Sequence, residues 1–397
     1  MKSLLIFTGQ FPYSQYVECF LEDEIVYLSR VFEKITIVPM KGDSKCRDVP
    51  SNCIIAHPII SSKLSLLING LYNSRTFYPF IKDFFNNKVY SNINKIIVWI
   101  KGMVAINNLL NSNFIKGIED SINKEDVICY YYWGKWSNLL SIFLNRDCHH
   151  LSRFHGSWDL WDENISNYAP LRKELSESLD VAAFISHKGE DFFREKYPTS
   201  NTSYNPLGSI DYGLKPKKVD NVIRIVSCST VYPLKRVELI FDSIVEFSNN
   251  HNELKVEWYH IGGGPTFNQL LAKVNFIKLS NLSVMLLGNL NHKEVIQQYQ
   301  SISFDIFINL SINEGIPVSI MEAISFDIPI VATAVGGNVE IVTNETGILV
   351  SSSPNINEVS AAISFVLEKN IHPRKYWEKH YDADKNYSKF ANLLSSI

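Results

Sequence analysis

The chain has 397 residues, 46% hydrophobic and 20% charged, with a formal net charge of −3. That length exceeds what one hydrophobic core sustains, so two domains of ordinary globular composition are expected. Near-neutral charge gives no global signal for nucleic acid. Six cysteines (19, 46, 53, 129, 148, 228) stand singly, without a C-x-x-C pair or a metal-ligand spacing, which argues for reduced core thiols in a cytoplasmic protein. The apolar run at the start is too short for a signal peptide, and no run of 18 apolar residues is available to span a bilayer.

Residues 3–7 read as a buried strand, 17–31 as a helix and 35–39 as a second strand. This β-α-β opening predicts a doubly wound parallel sheet. Gly9, in the loop after the first strand, is either a point where a ligand approaches the backbone or a plain tight turn. Residues 63–110 carry six Lys or Arg against one acid, a local charge of +5, interleaved with Phe77, Tyr78, Phe84, Phe85 and Trp99. That pattern suits an anionic membrane surface, or a helical pair whose solvated lysines cover the domain edge. Residues 126–132 form a predicted strand, followed by the loop 132–136. Ser152-Arg153-Phe154-His155-Gly156-Ser157-Trp158-Asp159 then places a His-Gly step at the carboxyl end of a strand, where open α/β sheets bind ligands. A strand at 181–186 and a helix at 190–196 complete a first domain, 1–206.

Residues 207–221, rich in Pro, Gly and Lys, are the expected linker to a second Rossmann-like domain, 222–375, with a last helical segment at 376–397. In the first turn of that domain, Lys235 and Arg236 precede a helix. Two cations at a helix start oppose its dipole unless an anion sits there, which marks them as diphosphate ligands. Gly262-Gly263-Gly264-Pro265 is a turn beside the same crevice, not a dinucleotide fingerprint. Residues 304–350 carry the strongest pattern: an apolar strand, Glu314-Gly315-Ile316-Pro317, a helix containing Glu322 with Pro317 in its first turn, a second strand, then Gly336-Gly337. Strand, loop and helix start make an anion site. The eight residues of helix from Glu314 to Glu322 rise roughly 12 Å, a span that suits gripping a nucleotide sugar at both ends.

Glu314-x7-Glu322 within NEGIPVSIMEA, followed by PIVAT and VGGNVEIV, resembles the donor-binding signature of family-4-type retaining glycosyltransferases of the bacterial surface-polysaccharide type. Arg153-Phe154-His155-Gly156 is similar to the R-x-H-G element of the same family. The resemblance implies the GT-B fold: α/β, two Rossmann-like doubly wound domains facing a central cleft, with a C-terminal helix crossing back to the N-terminal domain. It implies that Glu314 orients the donor sugar and Glu322 holds the ribose, while the amides of Gly315, Ile316, Val318 and Ser319 meet sugar and phosphate. Lys235 and Arg236 would take the diphosphate, His155 the anomeric centre, Gly9 the donor, and Asn289 and Leu290 the nucleobase. Many relatives carry an Arg six residues before the Lys, and this chain has Ser229 there.

The expected activity is transfer of a sugar, with retention, from a UDP- or GDP-sugar to a glycan acceptor, expected to be lipid-linked at the cytoplasmic face of a membrane, with no cofactor and no metal. Two alternatives stand beside it. A sugar-nucleotide epimerase would need acid/base carboxylates, for which Asp159, Asp162 and Glu163 are the candidates; a non-catalytic nucleotide-sugar-binding subunit would need none. Asp382-Ala383-Asp384 mimics a metal motif but lies in a helical region, so it reads as surface charge.

Overall fold

The computed structural model describes every residue except 1, 14–16, 44, 61, 123–126, 145–147, 157–158 and 161–167, and of the side chains at 63–65, 67 and 120–122 nothing is said. The chain divides into two compact units, Met1–Pro206 with Tyr387–Ile397, and Leu207–Asn386. The division falls within the last helix, Ala383–Ser396. That helix is separate from Arg374–His380, so the terminal segment is two helices rather than one.

Among the described residues, seven strands build the first unit: β1 (Ser3–Thr8), β2 (Lys34–Pro39), β3 (Cys53–Ile55), β4 (Val127–Tyr131), β5 (His149–Phe154), β6 (Val181–Phe184) and β7 (Thr202–Tyr204). They pair in parallel in the order β3-β2-β1-β4-β5-β6-β7. Side chains alternate between the two faces of a strand. Leu5, Phe7, Cys129 and Tyr131 therefore enter one core, and Leu4, Ile6, Ile128 and Tyr130 enter the other. Phe390, Ala391 and Leu394 of the last helix complete the second core. Both faces are covered, and so these strands read as continuous apolar runs.

The helix Ile93–Asn111 is long and apolar enough to cross a membrane by length and composition, although Asn94, Lys95, Lys101, Asn107 and Asn108 interrupt its apolar run. Its Ile106, Leu109 and Leu110 are nonetheless buried in the first unit's core. Asn107 and Asn108 donate to the carbonyls of Gly70 and Leu66, each at 3.0 Å. We read it as a core helix. Along this segment Leu71, Tyr72, Phe77, Tyr78, Phe85 and Ile93 are all more than half exposed.

The second unit has six parallel strands: β8 (Ile223–Cys228), β9 (Val256–Ile261), β10 (Leu282–Gly288), β11 (Ile306–Asn309), β12 (Ile330–Thr333) and β13 (Gly347–Val350). Their order is β10-β9-β8-β11-β12-β13. Each sheet reverses its winding once, between β1 and β4 in the first and between β8 and β11 in the second. Loops at the carboxyl ends of those strands diverge and leave a crevice, which is where such sheets bind ligands.

Candidate active site

At the second sheet's reversal point the chain leaves β11 through Leu310 and Ser311 and reaches Glu314. One carboxylate oxygen of Glu314, Oε1, collects three donors: the Lys235 ammonium, the Ser311 hydroxyl at 2.6 Å and the Asn309 amide at 3.2 Å. Lys235 ends a short 3-10 turn, Pro233–Lys235, beyond β8. The two loops are tied by the amide of Ile312, which donates to the Leu234 carbonyl at 2.8 Å. Lys235 and Glu314, far apart in sequence, thus form one mostly buried ion pair.

The turn after β12 explains the double glycine. Gly336 has φ +47°, and a Cβ there would lie 1.9 Å from the Glu314 carbonyl oxygen. A Cβ on Gly337 would lie 2.3 Å from the Gly315 carbonyl, to which the Gly337 amide donates at 3.0 Å. Only glycine allows that approach. Thr333 adds a hydroxyl bond of 2.6 Å to the Ser311 carbonyl, so this turn braces the Glu314 loop from behind.

The helix after Glu314 runs Val318–Ser325, with Pro317 extended (φ −75°, ψ 121°) at its N-cap and no side-chain cap. Pro317 is therefore outside the helix, not in its first turn. Only Val318 to Glu322 contribute helical rise, roughly 6 Å rather than 12 Å. The amides of Val318 and Ser319 precede the first internal bond, from Ile320 to the Pro317 carbonyl at 3.1 Å, and belong to the donor-rich end of the helix. Gly315 and Ile316 form the loop directly before them. Glu322 is 9% exposed, and its Oε1 accepts a 2.8 Å bond from Nε2 of His292. Burial, with Glu322 nearby, pushes the Cys228 thiol up to about 12, which puts that carboxylate beside the end of β8.

Other predicted contacts are engaged within the unit. Arg236 has φ 48° at the start of the helix Val237–Asn250, and its guanidinium donates to the Ser352 carbonyl at 2.8 Å. Asn289 accepts from the Gly263 amide at 2.7 Å and so holds the glycine turn, while Leu290 is half-buried beside it. A Cβ on Gly262 would meet the Ser229 carbonyl at 1.9 Å, so this turn packs directly on the loop containing Ser229. A recess of about 500 Å³ opens along Val231, Tyr232, Pro233, Arg236 and Thr266, and neither Lys235 nor Glu314 lines it.

In the first unit, His155 follows β5. Its Nε2–H donates to the Tyr132 carbonyl at 2.8 Å, and its ring centroid lies 4.8 Å from that of Tyr132 and 4.6 Å from that of Trp133. Burial, then the neighbouring Arg153, pull its pKa down to about 3, so it is a neutral imidazole whose Nδ1 keeps a lone pair. Asp159 accepts from the amides of His155 (2.9 Å), Gly156 (3.0 Å) and Gly134 (3.1 Å). Burial raises its pKa to about 6, but a carboxylate spent on three backbone donors is a loop staple, which removes it as an epimerase acid or base. Asp162, Glu163 and Trp158, with Asp126 of the expected strand start, lie outside the described residues. Arg153 is wholly buried, paired with Glu24 and donating to the Asn205 carbonyl at 3.0 Å.

The loop after β1 holds a residue that the sequence did not flag. Glu18 takes the amides of Gly9 (2.6 Å), Gln10 (2.8 Å) and Phe11 (2.6 Å), and also the Trp133 indole at 2.5 Å. The Gly9 amide is committed to that carboxylate. An acid directly before the helix Cys19–Val31 was the available signal. His292, too, was missed, because only the fold brings it to Glu322. Asp382 precedes the last helix and accepts from the Asp384 amide at 2.9 Å, as a helix-start acid does.

Residues 215–383 match the family model described as glycosyl transferases group 1. The chain is 27% identical over 236 residues to a phosphatidylinositol N-acetylglucosaminyltransferase GPI3 subunit of Saccharomyces cerevisiae, covering 57% of this chain and 48% of that protein. The chain thus spans about half the length of this curated relative. Among solved structures, sucrose-phosphate synthase of Thermosynechococcus elongatus superposes with a TM-score of 0.68 at 14% identity, over 100% of this chain and 99% of the other. HepE of Anabaena, solved in complex with UDP, gives 0.67 at 14% identity over 100% of both chains.

Proposed function

We propose that this chain, whose second unit belongs to the glycosyl transferases group 1 family and whose two α/β units have the GT-B fold, transfers a sugar from a nucleotide-sugar donor to a glycan acceptor. The observation that carries the reading is the Lys235–Glu314 pair, braced by Ser311 and Asn309 at the carboxyl ends of β8 and β11 and followed by a helix start without a side-chain cap. In this reading Glu314 accepts hydroxyl hydrogens of the sugar, and Lys235 turns to the diphosphate as negative charge grows on the leaving group. The amides of Gly315, Ile316, Val318 and Ser319 add the field of a helix N-terminus. Glu322, kept in place by His292, holds the ribose. Lys235 and that helix start meet the leaving charge without calling on a metal. Arg236 joins only if it leaves Ser352. His155 serves as a neutral acceptor at Nδ1 near the anomeric centre. Retention follows in this reading from attack on the face that the diphosphate leaves, the departing phosphate taking the acceptor's proton.

A lipid-linked acceptor at a membrane surface is the further part of the proposal. It is supported by the exposed Leu71, Tyr72, Phe77, Tyr78, Phe85 and Ile93 in a segment that also carries Lys82, Lys88, Lys95 and Lys101. The test is a thermal-shift screen of UDP-, GDP- and ADP-sugars. A ligand at about 100 times its dissociation constant adds about 2.7 kcal/mol, a clear rise in melting temperature. No shift with any nucleoside diphosphate sugar would sink the reading.

A further inference from the structure

At the middle of β4 and the amino end of β5, away from His155, two cysteines and a histidine converge. Cys129 of β4 lies in register with His150 of β5, and Cys148 sits just before β5. His150 is five residues upstream of His155, roughly 16 Å along the strand. The two sulfurs and an imidazole nitrogen lie within 4.8 Å of one another, and all three residues are buried. The Cys148 sulfur is 3.3 Å from His150 Nε2, while the Tyr131 hydroxyl is 3.0 Å from His150 Nδ1.

The hydroxyl sets the tautomer. Besides His150, the Tyr131 hydroxyl also bonds to Cys129. When the hydroxyl donates to that sulfur, it accepts the Nδ1–H of His150. The Nε2 lone pair then faces the sulfurs, which is how a ligating imidazole is oriented when an outer partner fixes its other nitrogen.

We propose that Cys129, Cys148 and His150 form a buried site for one thiophilic metal ion of the zinc class, bound by two thiolates and one neutral imidazole. Binding a dication releases the thiol protons, and two thiolates cancel its charge, so the filled site is neutral and suits a dry core. The ion would cross-link β4 and β5, whose far ends carry Trp133 and His155. Sequence spacing concealed the site, because its ligands come from strands that are neighbours only in the sheet.

The test uses the full chain purified under reductant. Bound metal is measured by plasma mass spectrometry, Zn²⁺ is titrated against a chromophoric chelator, and Co²⁺ is added to look for sulfur-to-cobalt charge-transfer absorption. The expected result is about one ion per chain with that absorption. Cys148→Ala should lose both, and Tyr131→Phe should bind about 10- to 100-fold more weakly. Wild-type reduced protein that neither competes for Zn²⁺ nor shows the cobalt band overturns the proposal, whatever the variants do. So does binding by Cys148→Ala or His150→Ala as tight as that of the wild type.

Discussion

Replacing Glu314 by Gln keeps the shape of the side chain and removes its charge. In the structure one oxygen of this carboxylate receives Lys235, Ser311 and Asn309, and the side chain is 12% exposed. The amide oxygen of Gln can still accept from Ser311 and Asn309, so the loop braced by Gly336 and Gly337 should keep its form. Lost is the charge on the acceptor: hydrogen bonds to charged groups contribute about 1.5–3 kcal/mol, against about 0.5–1.5 for neutral ones. A difference of about 1–2 kcal/mol at the transition state lowers kcat/KM roughly 5- to 30-fold. Lys235, released from its partner, should bind a free nucleoside diphosphate as well as before or better. The assay pairs initial rates of donor turnover with calorimetry of UDP or GDP. If Gln at 314 weakens the free diphosphate as much as it slows turnover, the carboxylate does not serve the sugar and the assignment fails.

Glu322→Ala should do the reverse, weakening free nucleoside diphosphate in calorimetry; unchanged binding would remove its ribose role. Glu24→Gln leaves the fully buried Arg153 without a charged partner and should cost about 3–5 kcal/mol in denaturant unfolding, and a loss under 1 kcal/mol would show the pair to be expendable. His155, with a folded pKa of about 3 against an ordinary 6.5, binds its proton more readily when unfolded, so its contribution to stability falls as pH drops from 6.5 towards 3. Asp159, raised to about 6, acts with the opposite sign between 3.8 and 6, so the His155 contribution must be isolated by substitution. The melting temperature of His155→Asn should fall less than that of wild type on acidification, and parallel curves would refute the neutral imidazole. Wild-type protein should sediment with anionic vesicles at low salt, at about 1 kcal/mol per surface lysine. Changing Lys82, Lys88, Lys95 and Lys101 together to Ser should abolish this while sparing donor hydrolysis, and binding that survives the change would refute the membrane reading.

Much of this protein follows from local pattern. Alternating β and α segments with apolar strands dictate two doubly wound sheets, because a parallel strand covered on both faces has no polar side to show. The Glu314 loop, its helix and the two glycines are contiguous enough that spacing alone exposes an anion site. Other features needed the tertiary structure, for one physical reason: hydrogen bonding pairs groups by position in space, and the sheet order makes neighbours of residues distant in the chain. Lys235 meets Glu314 because β8 and β11 are adjacent, and His292 reaches Glu322 from the helix after β10. Pro317 left the helix, and Arg236 turned to Ser352, for reasons of backbone geometry that composition does not carry. The Gly9 loop, open in sequence to any anion, is filled by Glu18, since a carboxylate at a helix start satisfies three amides that water would otherwise have to solvate.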